Sequence, residues 1–444
     1  MFNVGFISLG CDKNRVDAEI MLSILSKNGY TIVNDEKKAD VIIVNTCGFI
    51  ESAKMESIET ILEMAKNKEE GQCKSIIVTG CMAQRYREEL LQEMPEIDAI
   101  LGVGSYRDIC DIVDKTLKGI NGIVKVDPLD FRLEMEDRIL TTPSHYAYVK
   151  IAEGCNNNCS YCIIPKLRGR FRSKRIEDII TEVEQLAQKN VKEVILVAQD
   201  TTMYGVDIYG KKELPKLLNE IEKIEGIEWI RLMYAYPEEI TDELIETIRD
   251  SKKVLHYFDI PIQHISDKIL RKMNRRTTKG QIIELIDKIR KQIDDAVIRT
   301  SIIVGFPGET DDDFDELKEF LYEYKLERVG IFTYSPEEGT AAFEMSDQID
   351  VEIKEKRKDI LMRQQSYISA QNNQNLLGKI FDVIIDGKNN KGQYFGRTYG
   401  DAPEIDQNVF VNSNNLNKGD IVKVKINKTY TYDLAGDVYY ESSK

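Results

Sequence analysis

Three runs near the start of the chain are apolar without alternation: Asn3–Leu9 (NVGFISL), Val41–Asn45 (VIIVN) and Ser75–Thr79 (SIIVT). Each precedes a segment with apolar residues at helical spacing. In Arg15–Lys27, Val16, Ile20, Ile24 and Leu25 fall near one face, and Gly29 stands just past the end; Ser57–Ala65 and Tyr86–Glu93 carry similar patterns. Continuous apolar strands alternating with amphipathic helices predict a parallel sheet covered on both faces. Between Asp127 and Ser144 the periodicity fades among Pro128, Pro143 and mixed charge, which predicts a linker. A second series follows. Strands are expected at Tyr146–Ala152, Val194–Gln199, Trp229–Tyr234, Val254–Ile260, Val297–Val304 and Val329–Thr333, with helices such as Ile176–Lys189 and Asp311–Tyr324 between them. Six βα units predict a partial (β/α) barrel, whose strand C-termini carry the chemistry. Val351–Leu377 reads as a long polar helix stopped by Gly378. Beyond it, Lys379–Ile385, Gln393–Thr398, Val409–Val411, Ile421–Asn427 and Leu434–Tyr440 are short β-type runs. They predict a small five-stranded barrel.

Composition narrows the function classes. A chain of 444 residues exceeds one ordinary core, so two or three domains are expected. No apolar stretch approaches the roughly 20 residues of a membrane span. The first residues lack the basic region and cleavage pattern of an export signal, so a cytoplasmic protein without a membrane partner is expected. The net charge of −15 favours a basic protein or small-molecule partner over a general nucleic-acid binder. In a reducing compartment, eight cysteines point to metal binding or catalysis rather than to disulfides.

Cys155-Asn156-Asn157-Asn158-Cys159-Ser160-Tyr161-Cys162 is a C-x3-C-x2-C run directly after the first expected barrel strand. Three thiolates at this spacing suit three irons of a 4Fe-4S cubane. The fourth iron is then free to chelate S-adenosylmethionine (SAM) and reduce it to a 5′-deoxyadenosyl radical. The competing reading is zinc, which wants four ligands; the closest further candidate, His145, precedes the strand. Other segments fit SAM. Gln199 and Asp200, ending the second barrel strand, suit its ammonium, although ordinary loop capping explains them as well. Ser301–Glu309 ends the fifth strand, where Ser301, Gly305 and Gly308 suit a backbone passing close to a flat ligand; a tight turn is the alternative. Tyr161 suits either the adenine or the core. The basic run Arg168–Arg175 (RGRFRSKR) suits a carboxylate, against the usual reading of a solvated face.

Cys11, Cys47 and Cys81 each fall just beyond one of the first three strands, and ligand sites in open α/β sheets lie at that edge. A second three-thiolate cluster with an open iron, able to hold a sulfur atom, is expected there; buried core cysteines are the alternative. Cys73 and Cys110 do not share the placement, and His256 and His264 read as structural.

These residues resemble the methylthiotransferase branch of the radical SAM enzymes, over nearly the whole chain. Within it, Ser8–Glu19 (SLGCDKNRVDAE), Asp200–Gly205 (DTTMYG), Tyr234–Glu243 (YAYPEEITDE), Asp259–Arg275 (DIPIQHISDKILRKMNR) and Tyr432–Asp437 (YDLAGD) are similar to the protein-modifying members more than to the tRNA-modifying ones. Asp12 departs from the proline common there, and Lys174 from the arginine common after Ser173. The resemblance implies an N-terminal methylthiotransferase domain (1–126), a linker (127–144), a radical SAM domain (145–377) and an OB-like TRAM barrel (378–444). It implies two 4Fe-4S clusters and two SAM molecules, one supplying the methyl group and one the radical. The implied product is a methylthio group on the β-carbon of an aspartate in small-subunit ribosomal protein twelve. An external electron donor and a sulfur source are implied too. A modified adenosine of tRNA is the alternative substrate. From Lys379 to Lys444, nine Lys/Arg balance nine Asp/Glu, which is expected to suit a basic ribosomal protein better than RNA. A zinc-stabilised scaffold is the alternative from another class.

Overall fold

The computed structural model describes residues 2–440. Its first unit is a six-stranded, wholly parallel sheet. The order is Thr31–Val33, Asn3–Ser8, Val41–Thr46, Ser75–Gly80, Ala99–Leu101, Ile123–Lys125. The unalternating sequence has a direct cause. Ile43 and Ile77 enter one core while Ile42, Val44, Ile76 and Val78 enter another on the opposite face. Three strands were not expected, Thr31–Val33, Ala99–Leu101 and Ile123–Lys125; each is only three residues long, too short to show a period.

The middle unit has its six strands close to the expected positions, but split into two three-stranded parallel sheets. Tyr146–Lys150, Glu193–Val197 and Trp229–Leu232 form one, and Tyr257–Asp259, Val297–Val304 and Arg328–Thr333 the other. The bridge between Ile230 and Val254 and the bond from Ala235 N–H to the Asp259 carbonyl (2.9 Å) join them. The expected strand Val254–Ile260 is cut because the Tyr257 amide donates to the Leu255 carbonyl, a tight turn inside the ladder. The wall is therefore an open six-stranded barrel. Among the described residues, no helix is long and apolar enough to cross a membrane.

After the helix Val351–Gln374 comes a closed barrel of five strands: Ile380–Lys388, Tyr394–Arg397, Val409–Asn412, Leu434–Val438 and Ile421–Thr429 in spatial order. The three units share one core. Val16, Ile20 and Met21 of the helix Asp12–Lys27 pack with Tyr148, Ile195, Trp229 and Tyr257 of the open barrel, and with Ile384 and Ala402 of the closed one. The helix thus lies against the barrel interior and carries the Cys11 loop towards the strand C-termini.

Buried charges join the last two units. Arg397 donates to Glu193 (2.7 Å) and Asp386 (2.8 Å), Arg231 donates to Glu193 (2.7 Å), and His145 contacts Asp386 (2.7 Å). Arg328 pairs with Asp401, and the Tyr257 hydroxyl donates to Asp406; at the surface, Arg15 of the first unit pairs with Glu404. Burial raises the Glu193 carboxyl, but Arg397 and Arg231 outweigh it and hold the group below its ordinary range. Arg397→Met is expected to lower stability by about 3–5 kcal/mol, because two buried carboxylates lose a partner. Urea unfolding followed by the fluorescence of Trp229, the one tryptophan, measures it.

This interface corrects the expectation drawn from balanced charge. Asp386, Asp401 and Asp406 turn inward with Arg397. The outward surface of this unit keeps Lys379, Lys388, Lys391, Lys418, Lys423, Lys425 and Lys428, all exposed, against Asp382, Glu404, Asp420, Asp433 and Asp437. It is basic, so it gives no argument for a basic partner.

Candidate metal centres

Cys47 follows the strand Val41–Thr46, Cys81 opens the helix Cys81–Glu93, and Cys11 caps the helix Asp12–Lys27. All three therefore stand at the C-terminal edge of the parallel sheet, around the point where strand order reverses. The loops touch. A Cβ on Gly10 would stand 3.0 Å from Cys47 Cβ, and one on Gly48 would stand 2.8 Å from Met82 Cα. Asn14 ties them further, donating to the Leu9 carbonyl (3.1 Å) and the Thr46 carbonyl (2.9 Å). Cys73 and Cys110 bond the Ser75 and Ile24 carbonyls instead, outside this group.

The second set lies on the loop after the strand pair Tyr146–Lys150 and Ala152–Glu153. The loop is held at several points: Cys155 N–H to the Gly169 carbonyl (3.1 Å), Ser160 N–H to the Met273 carbonyl (3.0 Å), and Asn274 to the Asn158 carbonyl (2.6 Å). Cys155 and Cys159 are buried and Cys162 is half-buried. All eight cysteines are free thiols.

Burial pushes the thiols up: Cys155 to about 11, Cys162 and Cys81 to about 12, and Cys47 above its ordinary value. Yet N–H donors are aimed at sulfur in both sets. Arg168 Nε and Nη2 each stand 3.3 Å from Cys81 Sγ. Asn157 N–H is 3.4 Å from Cys155 Sγ, and Arg275 Nη1 is 3.8 Å from Cys159 Sγ. Such donors favour thiolates, the form that binds iron, so the donor set fits clusters that displace the protons. Among the described residues, no three His, Cys, Asp or Glu side chains converge as ligands of a single metal ion. A cubane demands a looser set, since each thiolate binds a separate iron.

One buried network links the two sets. Arg168 also donates to Asp17 (2.6 Å), Glu153 (3.2 Å) and Asn14. Glu153, two residues before Cys155, accepts from Lys150 (2.7 Å) and Gln199 (2.6 Å). Arg168 is 1% exposed, so for this residue the reading of its basic run as a solvated face is corrected, while Arg170 and Arg175 of the run are exposed. Lys174 in the same run pairs with Glu182 at 2.6 Å, so the departure from arginine keeps a buried ion pair.

The expected SAM contacts separate into groups. Asp200 lines a cavity of about 290 Å³ with Asn157, Cys159, Tyr236 and Arg275. Its oxygens already accept from Thr202 (N–H 3.1 Å, hydroxyl 2.5 Å) and Asn157 (2.8 Å), the loop capping named as its alternative. Among the described residues, the buried Oε1 of Gln199 has no partner. Tyr161 packs edge-on against Phe306, 6.5 Å between centroids, in a small core with Tyr334. Ser301 is half-buried, on the other face of its strand from Ile302, which enters the main core. At Gly305 the absent side chain has a different use from the one expected: a Cβ there would collide with Lys354, so the glycine admits the helix Val351–Gln374. His256 and His264 pair with Asp295 (2.6 Å) and Glu309 (3.5 Å), in keeping with structural roles. Residue patterns missed Glu153, Tyr236 and Arg275, and the contact of Arg168 with Cys81. The signal for Arg168 was present in its basic run, but no local pattern shows which side chain a buried arginine meets.

The family description "Uncharacterized protein family UPF0004" matches residues 3–102, "Radical SAM superfamily" residues 149–321 and "TRAM domain" residues 377–438. Among solved structures, the radical SAM methyltransferase TsrM from Kitasatospora setae, with cobalamin and a [4Fe-4S] cluster bound, aligns with a TM-score of 0.57 over 86% of this chain and 80% of that one. At 13% identity it shows the shared fold alone. The ribosomal protein uS12 methylthiotransferase RimO of Clostridioides difficile (strain 630) is 53% identical over 99% of this chain and its own full length. The RimO of Thermoanaerobacter sp. (strain X514) is 52% identical over 98% of this chain and its full length. Identity of this depth across all three units, with both cysteine sets gathered at strand C-termini, means that the chain belongs to the RimO family of radical SAM ribosomal protein uS12 methylthiotransferases.

Proposed function

We propose that this protein attaches a methylthio group to the β-carbon of an aspartate in ribosomal protein uS12, in the cytoplasm. The observation that carries the reading is the pairing of two three-thiol sets through Cys81–Arg168–Glu153, within a chain 53% identical to a uS12 methylthiotransferase along its whole length. Cys155, Cys159 and Cys162 would hold one 4Fe-4S cluster, and Cys11, Cys47 and Cys81 the other. The bound clusters and SAM would supply a carbon-centred radical and a transferable methylated sulfur.

The chain's own residues do the rest. Arg275 and Arg168 each bring a fixed positive charge to one thiolate set, which offsets the charge that burial would otherwise oppose. Gln199 offers its unpaired Oε1 to the SAM ammonium or a ribose hydroxyl, and Glu153 fixes the amide from behind. Asp200 and Asn157 hold each other at the cavity wall, with Ser301 and Tyr161 as the remaining SAM contacts. The division into 1–126, 145–377 and 378–444, with a linker at 127–144, belongs to the same reading and is supported by the three matched families. Electrons and sulfur must come from outside the chain.

The test is direct. Protein reconstituted without oxygen is incubated with SAM, a reductant and either uS12 or tRNA, and the products are weighed by mass spectrometry. Methylthiolated uS12 is expected, from protein holding about eight irons. Labelled tRNA with unmodified uS12, or a colourless zinc-loaded protein, refutes the reading.

A further inference from the structure

We propose that Lys13 holds the side-chain carboxylate of the substrate aspartate between the two thiol sets. This rests on the uS12 reading above. Lys13 is 7% exposed, yet among the described residues its ammonium makes no ion pair and no hydrogen bond. Other buried lysines do: Lys150 meets Asp17 and Glu153, Lys174 meets Glu182, and Lys354 donates to the Tyr334 carbonyl. The side chain is enclosed, but Nζ itself keeps contact with solvent, so its charge is open to an incoming anion. Its contact within the chain is the Tyr234 ring, whose centroid lies 3.4 Å from Nζ. The neighbouring carboxylate, Asp12, accepts instead from the Tyr234 hydroxyl at 2.9 Å.

The placement matches the chemistry. Lys13 lies two residues after Cys11, in the first turn of a helix whose N-terminal end favours anions. Tyr234 has φ +60°, a left-handed conformation that is unfavourable for an aromatic residue. It is held there by Asp259, which accepts from its N–H (2.9 Å), and by Thr201, whose N–H and hydroxyl both donate to its carbonyl (3.1 Å each). Two residues on, the Tyr236 hydroxyl stands 3.9 Å from Cys159 Sγ. One tripeptide therefore spans from the Cys11 loop to the Cys159 loop, with the unpaired ammonium over its first ring. In aspartate the β-carbon that must lose hydrogen and gain sulfur bears the carboxylate directly. Anchoring the carboxylate fixes the reacting carbon one bond away.

The experiment compares uS12 with a uS12 variant carrying asparagine at the modified position. Both are offered to wild-type, Lys13→Met and Lys13→Arg enzyme, with iron and sulfide content measured for each. Wild type is expected to favour the aspartate substrate. In Lys13→Met, kcat/KM for aspartate is expected to fall about 100-fold, with a far smaller change for asparagine, because a charge-assisted bond is lost from one substrate only. Lys13→Arg keeps charge and ring contact, and is expected to keep the preference. An unchanged aspartate-to-asparagine ratio in fully loaded Lys13→Met overturns the assignment. So does loss of the preference in fully loaded Lys13→Arg, which settles the matter if Lys13→Met does not load. Wild-type enzyme that modifies neither substrate overturns the uS12 reading itself, and the assignment of Lys13 with it.

Discussion

Cys47→Ala is expected to lower methylthiolated product by at least about 1,000-fold while 5′-deoxyadenosine still forms. The two thiol sets lie on different units of the fold, so loss of one ligand disturbs one set. Cys47 stands on the loop after Val41–Thr46, held by Ser57, whose hydroxyl accepts from the Cys47 N–H (3.1 Å) and donates to its carbonyl (3.0 Å). Alanine keeps those backbone bonds, so the loop persists and only the thiolate is lost. A site left with two thiolates cannot hold a cubane firmly, and iron content should fall towards half of about eight. Chromatography of 5′-deoxyadenosine beside mass spectrometry of uS12 separates the two reactions. Wild-type product from this variant would show that Cys47 is no cluster ligand.

Arg168→Met is expected to weaken both the folded state and the N-terminal thiol set. It takes one of two buried cations from Asp17 and Glu153, which keep only Lys150, and leaves Cys81 without two N–H donors. Breaking such a network costs about 3–5 kcal/mol, read from chemical unfolding of the cluster-free protein. The sign of a pH effect follows as well. Burial already pushes Cys81 up to about 12, and Arg168 opposes that shift. Without Arg168 the thiolate fraction at any given pH falls, so iron uptake at the N-terminal site should move to higher pH. Arg168→Lys keeps the charge but not the paired donors, and should restore only part of both losses. Uptake with the wild-type pH profile in Arg168→Met would disprove the proposed support of Cys81.

Local pattern carried much of this protein. Val41–Asn45 and Ser75–Thr79 are continuous runs because both sheet faces are covered, and each run lies within a β-strand. Short strands such as Ala99–Leu101 escaped because three residues cannot show alternation. At Gly305 the missing side chain was legible, but its neighbour, Lys354, arrives from a helix far along the chain. The closed barrel shows the same limit in electrostatics. Counting charges from Lys379 onward predicted a neutral surface, whereas pairing across the interface removes Asp386, Asp401 and Asp406 from it and leaves lysines outside.

By itself, the sequence determined the order of units and the two cysteine sets, because strand period and the residue after a strand are local properties. A thiol placed just beyond a parallel strand must emerge at that edge of the sheet. Only the tertiary structure decided that Arg168 reaches Cys81, that Glu153 stands behind Gln199, and that Lys13 lies over Tyr234 without an anion. Those contacts join residues far apart in the chain, and their energy depends on which groups burial brings together. Spacing shows where a side chain leaves its element; packing alone decides what it meets.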